Sequence, residues 1–481
     1  MIASSLTGIG STRTFLGEDW DDIVTVANVA NDLDLQTIGQ ELYSLIAELY
    51  PICRSITGDG VRETLNRLQK HIPLTIHEIP SGTQVFDWTV PNEWNIRDAY
   101  VKTSKGARVI DFRSSNLHVV NYSAPVKRRM PRRELTEHLF TLPDHPDWIP
   151  YRTSYYRETW GFCLAHNTLL QLQEDEYEVC IDSSLQPGHL TYGELLLKGE
   201  TADEILLSCH ACHPSLCNDN LSGVALATVL AKHLSPLQLR YSYRFLFIPG
   251  TIGAITWLWA NESSLANIKH GLVVACVGDS RNFTNKKTRR GNADIDRAAI
   301  QALTDAGSEF EILDFSPYEY DERQYCSPGF NLPVGSLTRT PHGRFPQYHT
   351  SADNLDLVRP QYLAEALGMY LSVLTILENN RTYLNQNQKC EPQLGKRGLY
   401  RTAGGGTHNP SEELALLWVL NLSDGCHSLL DISQRSGLTF PSIAAAAMAL
   451  VQVGLLRYRP SSGELSDPKS EQLPSGHRRN T

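Results

Sequence analysis

Between Glu194 and Asn380, short apolar runs alternate with segments of helical periodicity, and this restricts the fold more than any other feature of the chain. Strands are predicted around Ile205–Ser208, Tyr243–Ile248, Gly271–Val277 and Val334–Leu337. Helices are predicted over Ser222–Leu234, near Ala293–Ala306 and over Gln361–Leu377. A chain patterned this way joins parallel strands through crossover helices, so the expected class is α/β with a doubly wound, mainly parallel sheet. Ligands of such sheets bind beyond the carboxyl ends of the strands, and the residues just after each strand are where chemistry is to be sought.

The remainder of the 481 residues does not fit one core, because a single hydrophobic core stops growing near roughly 250 residues. Helical spacing over Ile38–Tyr50 and Val61–Ile72 opens the core, expected to comprise residues 36–78 and 188–385. Short alternating runs such as Ala107–Phe112 and Tyr177–Asp182 mark residues 79–187 as an inserted β-rich domain. After Gly404-Gly405-Gly406, helical patterns at Ser411–Leu420, Leu429–Ser436 and Phe440–Val453 predict a winged helix-turn-helix over residues 398–460. Residues 1–35 and 461–481 are expected to be poorly ordered tails.

With 43 basic and 53 acidic residues the formal charge is −10, which disfavours nucleic acid and anionic membrane as partners. The cluster Lys286, Lys287, Arg289 and Arg290 reads as a solvated loop. Residues 437–454 contain no Lys or Arg, so the winged helix is expected to serve packing or dimerisation and not operator recognition, and a homo-oligomer is left open. Ten cysteines without regular pairing, and no basic segment leading into an apolar stretch at the N-terminus, point to free thiols in the cytoplasm. No apolar run approaches the roughly 20 residues that span a bilayer.

The richest stretch for chemistry runs from Ser208 to Gly223 and holds His210, Cys212, His213, Cys217 and Asp219 between a strand and a helix. These nitrogen, sulfur and oxygen donors suit zinc. The structural alternative is a helix N-cap by Asp219 or Asn220, with the cysteines packing as small apolar groups. A second such loop, Phe345 to Asn354, carries His349, and two donor loops in one sheet match a catalytic zinc that takes three protein ligands and keeps one position open.

The turn Asn218-Asp219-Asn220-Leu221-Ser222-Gly223 and the loop Tyr348-His349-Thr350-Ser351-Ala352-Asp353 resemble the metal-binding loops of the zinc aminopeptidases that include bacterial leucyl aminopeptidases and glutaminyl cyclases. The whole chain resembles a bacterial family with an aminopeptidase-like core, an inserted β-rich domain and a C-terminal winged helix, through Arg54–Gly58, Val85–Pro91, Glu93–Ala99, Trp160–Cys163, Leu190–Glu194, Cys212–Ser215 and Asp321–Gly329. The resemblance implies one zinc ion on His213, Asp219 and His349, with His210 in reserve, and Asp353 orienting His349. It also implies a small peptide or aminoacylated biosynthetic intermediate as substrate, with Asp321, Arg323 and Tyr348 at the substrate, and Asp279 and Glu322 as carboxylates facing the cleft.

One departure stands out. Where the family has Pro-Glu-Thr-Ile-Gly after the strand Tyr243–Ile248, with Glu as general base, this chain reads Pro249-Gly250-Thr251-Ile252-Gly253. Arg344 and Gln347 also stand where the family leads one to expect an acidic or neutral residue and Glu. Gly250 is consistent with a natural loss of turnover, with a substitution introduced to trap a complex, or with replacement of the base by Glu262, Asp279 or Glu322. Thr251 replaces the second glutamate of the wider superfamily, leaving Cys276 or Asp279 to serve any second metal.

Overall fold

A computed structural model of the chain describes residues 34–399 and 410–459, together with Val26, Ala27 and Val29. The expected terminal tails and the triple-glycine linker lie largely outside the described residues. The described residues divide into two compact units, with the boundary between Glu378 and Asn379.

The first unit is built on an eight-stranded sheet, whose strands are labelled in chain order β1 (Thr75–Pro80), β2 (His189–Leu197), β3 (Glu204–His210), β4 (Ser242–Ile248), β5 (Ile268–Val274), β6 (Phe283–Lys286), β7 (Phe310–Leu313) and β8 (Val334–Thr338). They lie in the order β1-β2-β4-β3-β5-β8-β6-β7. The central run β4-β3-β5-β8 is parallel, β2 joins β1 and β4 antiparallel, and β6 pairs antiparallel with β8 and parallel with β7. The α/β class therefore holds, with antiparallel strands added on both sides of a parallel centre.

Burial explains why these segments are strands. Every residue of β3 is buried, as a strand covered on both faces must be, and its Ile205-Leu206-Leu207 run is fully apolar. The following helix Ser222–Leu234 coincides with its sequence prediction and is buried over nearly its whole surface. At Gly223 a Cβ would lie 2.4 Å from both the Val274 carbonyl and Asn220 Oδ1, so only glycine lets this helix start against the end of β5.

Two expectations need correction. Lys286, read as part of a solvated loop, lies on β6 and is 2 % exposed, because its Nζ is 2.7 Å from Glu322 and 2.6 Å from the Tyr318 carbonyl. The core was also expected to run to residue 385. It ends at Glu378, whose carboxylate accepts the Arg240 N–H and the Tyr243 hydroxyl, while Thr382–Asn385 is a strand of the second unit.

Within residues 79–187 an antiparallel sheet runs in the order Arg108–Asp111, Glu93–Lys102, Glu176–Gln186, Val126–Pro131. It has its own apolar cluster, including Val101, Ile110, Met130, Phe162 and Val179. It is packed into the first unit and does not separate from it.

In the second unit the helices Pro410–Leu422, Leu429–Ser436 and Phe440–Gln452 accompany a sheet of Asp424–Ser428, Thr382–Asn385 and Leu456–Tyr458. Ser428 and Asp431 form a capping box at the middle helix, and Gly437 ends it in the left-handed conformation. Among the described residues no helix is long and apolar enough to cross a membrane.

Candidate metal centre

The carboxyl ends of β3 and β5 and the loop after β8 converge on one carboxylate, Asp219, which is fully buried. His210, the last residue of β3, places Nε2 2.8 Å from Asp219 Oδ1. His213 Nδ1 is 3.1 Å and His349 Nε2 3.0 Å from Asp219 Oδ2. The donor atoms of His210, His213 and Asp219 all lie within 4.8 Å of one another, the one such group of three among the described residues. The structure thus brings all four expected donors together, and the tightest trio contains the reserve His210.

The loop is positioned by groups that the sequence motif already contains. Asp353 accepts the backbone N–H groups of Asn218 at 2.6 Å and Asp219 at 2.9 Å, so it fixes the turn bearing Asp219 and does not orient His349 through a hydrogen bond, contrary to the expectation. Asn220 donates to the carbonyls of His210 and Val274 and accepts from Gly223 and Cys276, tying the ends of β3 and β5 to the helix start. The capping and metal readings of this turn therefore divide between neighbours: Asn220 serves the helix and Asp219 serves the histidines. Arg54, 1 % exposed, donates to the His213 carbonyl at 2.8 Å and to that of Leu49 at 2.7 Å, and burial pushes its pKa down to about 10.

Four non-glycine residues of these loops, Ser215, Thr251, Cys276 and His349, have φ between 48° and 63°. Each such conformation costs on the order of 1–3 kcal/mol and persists only where the surroundings dictate it, typically at functional sites.

Electrostatics reinforce the cluster. Burial alone would raise the Asp219 pKa, yet the His213 and His210 imidazoles hold it well below the usual carboxylate range. Burial also opposes charge on His213, but attraction to Asp219 outweighs it and the pKa is raised; at His349 burial wins and the pKa is lowered. Aromatic rings line the histidines. Tyr348 stacks on His349 at 3.9 Å, Tyr151 meets His213 and His349 edge-on at 5.2 and 5.1 Å, and Tyr320 faces His210 at 5.9 Å. Tyr151 and Tyr155, whose hydroxyls are 3.0 Å apart, come from the inserted region and carry no sequence signal that would have singled them out.

The other expected residues separate. Asp279 is not a cleft carboxylate: its oxygens accept from Asn218 Nδ2, the Arg281 N–H and Thr340 Oγ1, and it is 5 % exposed. Glu322 is fully buried and pairs through Oε1 with Lys286 at 2.7 Å. Glu262 lines a separate cavity of ≈ 430 Å³ with Lys269, Arg290 and Phe330. Arg344 pairs with Glu311 at 2.7 Å.

Asp321 does lie beside position 250. Its Oδ1 accepts the Thr251 N–H at 2.7 Å, and burial raises its pKa against the opposing pull of His210. Arg323 donates to Thr251 Oγ1 at 3.2 Å. At Gly250 an added Cβ would meet only Cys212 Sγ and His210 Cβ, both at 3.6 Å, ordinary contact distances.

Residues 43–380 match the family profile described as a domain of unknown function, DUF4910, and residues 381–458 match a winged helix-turn-helix profile. The chain belongs to the DUF4910 family. A Clostridium acetobutylicum relative named a polysaccharide biosynthesis protein with an aminopeptidase-like domain is 58 % identical over 419 residues, covering 87 % of this chain and 96 % of the relative. A crystal structure described as a peptidase from Clostridium acetobutylicum superposes with a TM-score of 0.85 at 55 % identity, over 89 % of this chain and 98 % of that one. A zinc aminopeptidase from Bacillus subtilis superposes with a TM-score of 0.53 at 12 % identity, over 72 % of this chain and 96 % of that one. At that identity the likeness is one of fold, so this DUF4910 member has an aminopeptidase-like fold with a C-terminal winged helix.

Proposed function

We propose that this chain is a zinc-dependent amide hydrolase of aminopeptidase type whose turnover is limited by the absence of a glutamate base at position 250. One observation carries the reading: a fully buried carboxylate, Asp219, faces three imidazoles at 2.8–3.1 Å, a donor set of the kind zinc takes. The chemistry zinc supplies when bound at such a centre is Lewis-acid polarisation of a carbonyl.

The protein's own groups would do the rest. Asp353 and Arg54 hold the ligand loops, Tyr151 and Tyr348 pack their rings against His213 and His349, and Asp321 offers a buried carboxylate to a substrate amine. The name of the 58 % identical relative supports a small aminoacylated or peptide intermediate of a biosynthetic pathway as substrate. All ten cysteines are free, which supports a reducing, cytoplasmic setting. The winged helix is read as a packing or self-association element, supported by the absence of Lys and Arg from residues 437–454.

Hydrolysis of a panel of aminoacyl amides by the zinc-loaded protein tests the reading. Slow turnover that chelation abolishes, and that Asp219→Asn lacks, is the expected result. The second reading, an amide-binding or assembly module, is favoured by Gly250; zinc-dependent binding of the same amides with no hydrolysis would establish it in place of the first.

A further inference from the structure

A fourth histidine stands close to the metal centre without belonging to its donors. His342 follows β8, and its ring meets those of Tyr318 at 5.3 Å, Tyr320 at 5.7 Å and Tyr348 at 5.8 Å. Tyr320 stacks on His210 and Tyr348 stacks on His349, so His342 is one ring removed from two of the imidazoles around Asp219.

A carboxylate stands beside it. Glu319 Oε1 is 3.8 Å from His342 Nδ1, and the two side chains are only 15 % and 18 % exposed. His342 Nδ1 and Glu319 Oε2 are buried atoms with no hydrogen-bond partner among the described residues. Lys286 Nζ lies 3.3 Å from that oxygen and is itself held by Glu322. Glu319 keeps φ at 116°, a backbone conformation that costs a non-glycine residue on the order of 1–3 kcal/mol and that clusters at functional sites. A carboxylate at one imidazole nitrogen sets the tautomer and leaves the other nitrogen to take up a proton. Such contacts are often long in a free enzyme and tighten when substrate binds.

Burial lowers the His342 pKa, and Lys286 and Arg323 add to the lowering, against the pull of Glu319 and Asp219. The imidazole is therefore neutral near pH 7 and able to accept a proton.

We propose that His342, oriented by Glu319, accepts the proton of the attacking water in this chain, where position 250 offers no carboxylate. The inference rests on the amide-hydrolase reading above. The water oxygen bonds to the amide carbon as one of its protons passes to His342 Nε2. That proton then moves to the amide nitrogen as the C–N bond breaks, giving a carboxylic acid and an amine with no change of oxidation state.

Hydrolysis of the aminoacyl-amide panel by the zinc-loaded full chain tests this in two backgrounds, wild type and Gly250→Glu, each with and without His342→Gln. The substitution should lower the wild-type kcat by about 10²–10⁴-fold. It should cost Gly250→Glu, which carries its own carboxylate, far less, because a residue that merely supports the fold would cost both backgrounds alike. Glu319→Gln removes a charge that raises the His342 pKa, so the acid limb of kcat/KM should move to lower pH; this decides the matter even where His342→Gln fails to fold. An undiminished kcat in His342→Gln, equal losses in the two backgrounds, or an unmoved acid limb in Glu319→Gln overturns the assignment and leaves the hydrolase reading standing. Hydrolysis by Gly250→Glu alone does the same. A panel that none of these proteins hydrolyses, Gly250→Glu included, overturns both.

Discussion

On the proposed reading, replacing Gly250 by Glu supplies the general base that the family resemblance implies at this position. The structure permits it. A Cβ at 250 meets only Cys212 Sγ and His210 Cβ at 3.6 Å, and the residue does not occupy the left-handed backbone region that would strain a side chain. The new carboxylate would share its surroundings with Asp321, bound to the next residue's N–H, and two neighbouring carboxylates push one pKa upward, toward the range of a working base. General-base catalysis contributes roughly 10²–10⁴-fold, which at 1.36 kcal/mol per decade is about 3–5 kcal/mol off the barrier. The assay is steady-state hydrolysis of aminoacyl amides by the zinc-loaded wild type and Gly250→Glu, compared at equal zinc content. The account expects kcat to rise by at least about two decades with little change in KM. A folded, zinc-loaded Gly250→Glu no faster than wild type would refute the reasoning, as would a wild type already as fast as the variant.

Other perturbations follow from the same contacts. His270, fully buried on β5, has its pKa pushed down to about 3 by burial, so the folded state binds fewer protons than the unfolded chain below its ordinary value near 6.5. Stability is then complete above about pH 6.5 and is lost progressively toward pH 3, by about 2 kcal/mol at pH 5. Denaturant unfolding at pH 7 and 5 should show this slope flattened in His270→Gln, and an unchanged slope would exclude His270 as its source. Asp353→Asn leaves the N–H groups of Asn218 and Asp219 facing an amide; it should lower stability by about 1–3 kcal/mol and zinc affinity by about 10- to 100-fold, both read by thermal unfolding with and without zinc. Lys286→Met strands the buried Glu322 and should cost about 3–5 kcal/mol, much of it recovered in Lys286→Met with Glu322→Leu. Equal losses in the single and double variants would mean that the ion pair is not the cause.

The parallel centre of the sheet was legible because β3, β4, β5 and β8 are almost wholly buried and carry apolar stretches such as Ile205-Leu206-Leu207, Phe245-Leu246-Phe247-Ile248 and Leu272-Val273-Val274. The strands β6 and β7 were not. Phe283–Lys286 is short and polar, and only tertiary pairing with β8 and the ion pair at Lys286 make it a strand. The strand Thr382–Asn385 escaped for the same reason, since its partners lie forty and seventy residues onward in the chain.

At the site, donor identity was visible in the Ser208–Gly223 stretch and around His349, because zinc ligands belong to few residue types. Which neighbour each donor meets was not visible. Asp279 and Asp321 sit in similar loop contexts, and only the fold shows that Asn218 and Thr340 saturate the first while the second keeps one oxygen on the Thr251 N–H beside Gly250. Tyr151 reaches the histidines because the Tyr151 N–H bonds the His349 carbonyl at 2.7 Å across nearly two hundred residues, a contact with no local signature.

The central claim is that Asp219 and the imidazoles around it hold zinc. Equilibrium dialysis against Zn²⁺ with metal analysis of the full chain, for wild type and Asp219→Ala, measures this directly. The account predicts at least one tightly held zinc per wild-type chain and none in Asp219→Ala, with both proteins folded by circular dichroism. A folded wild type that retains no zinc, or an Asp219→Ala that retains as much as wild type, would contradict it.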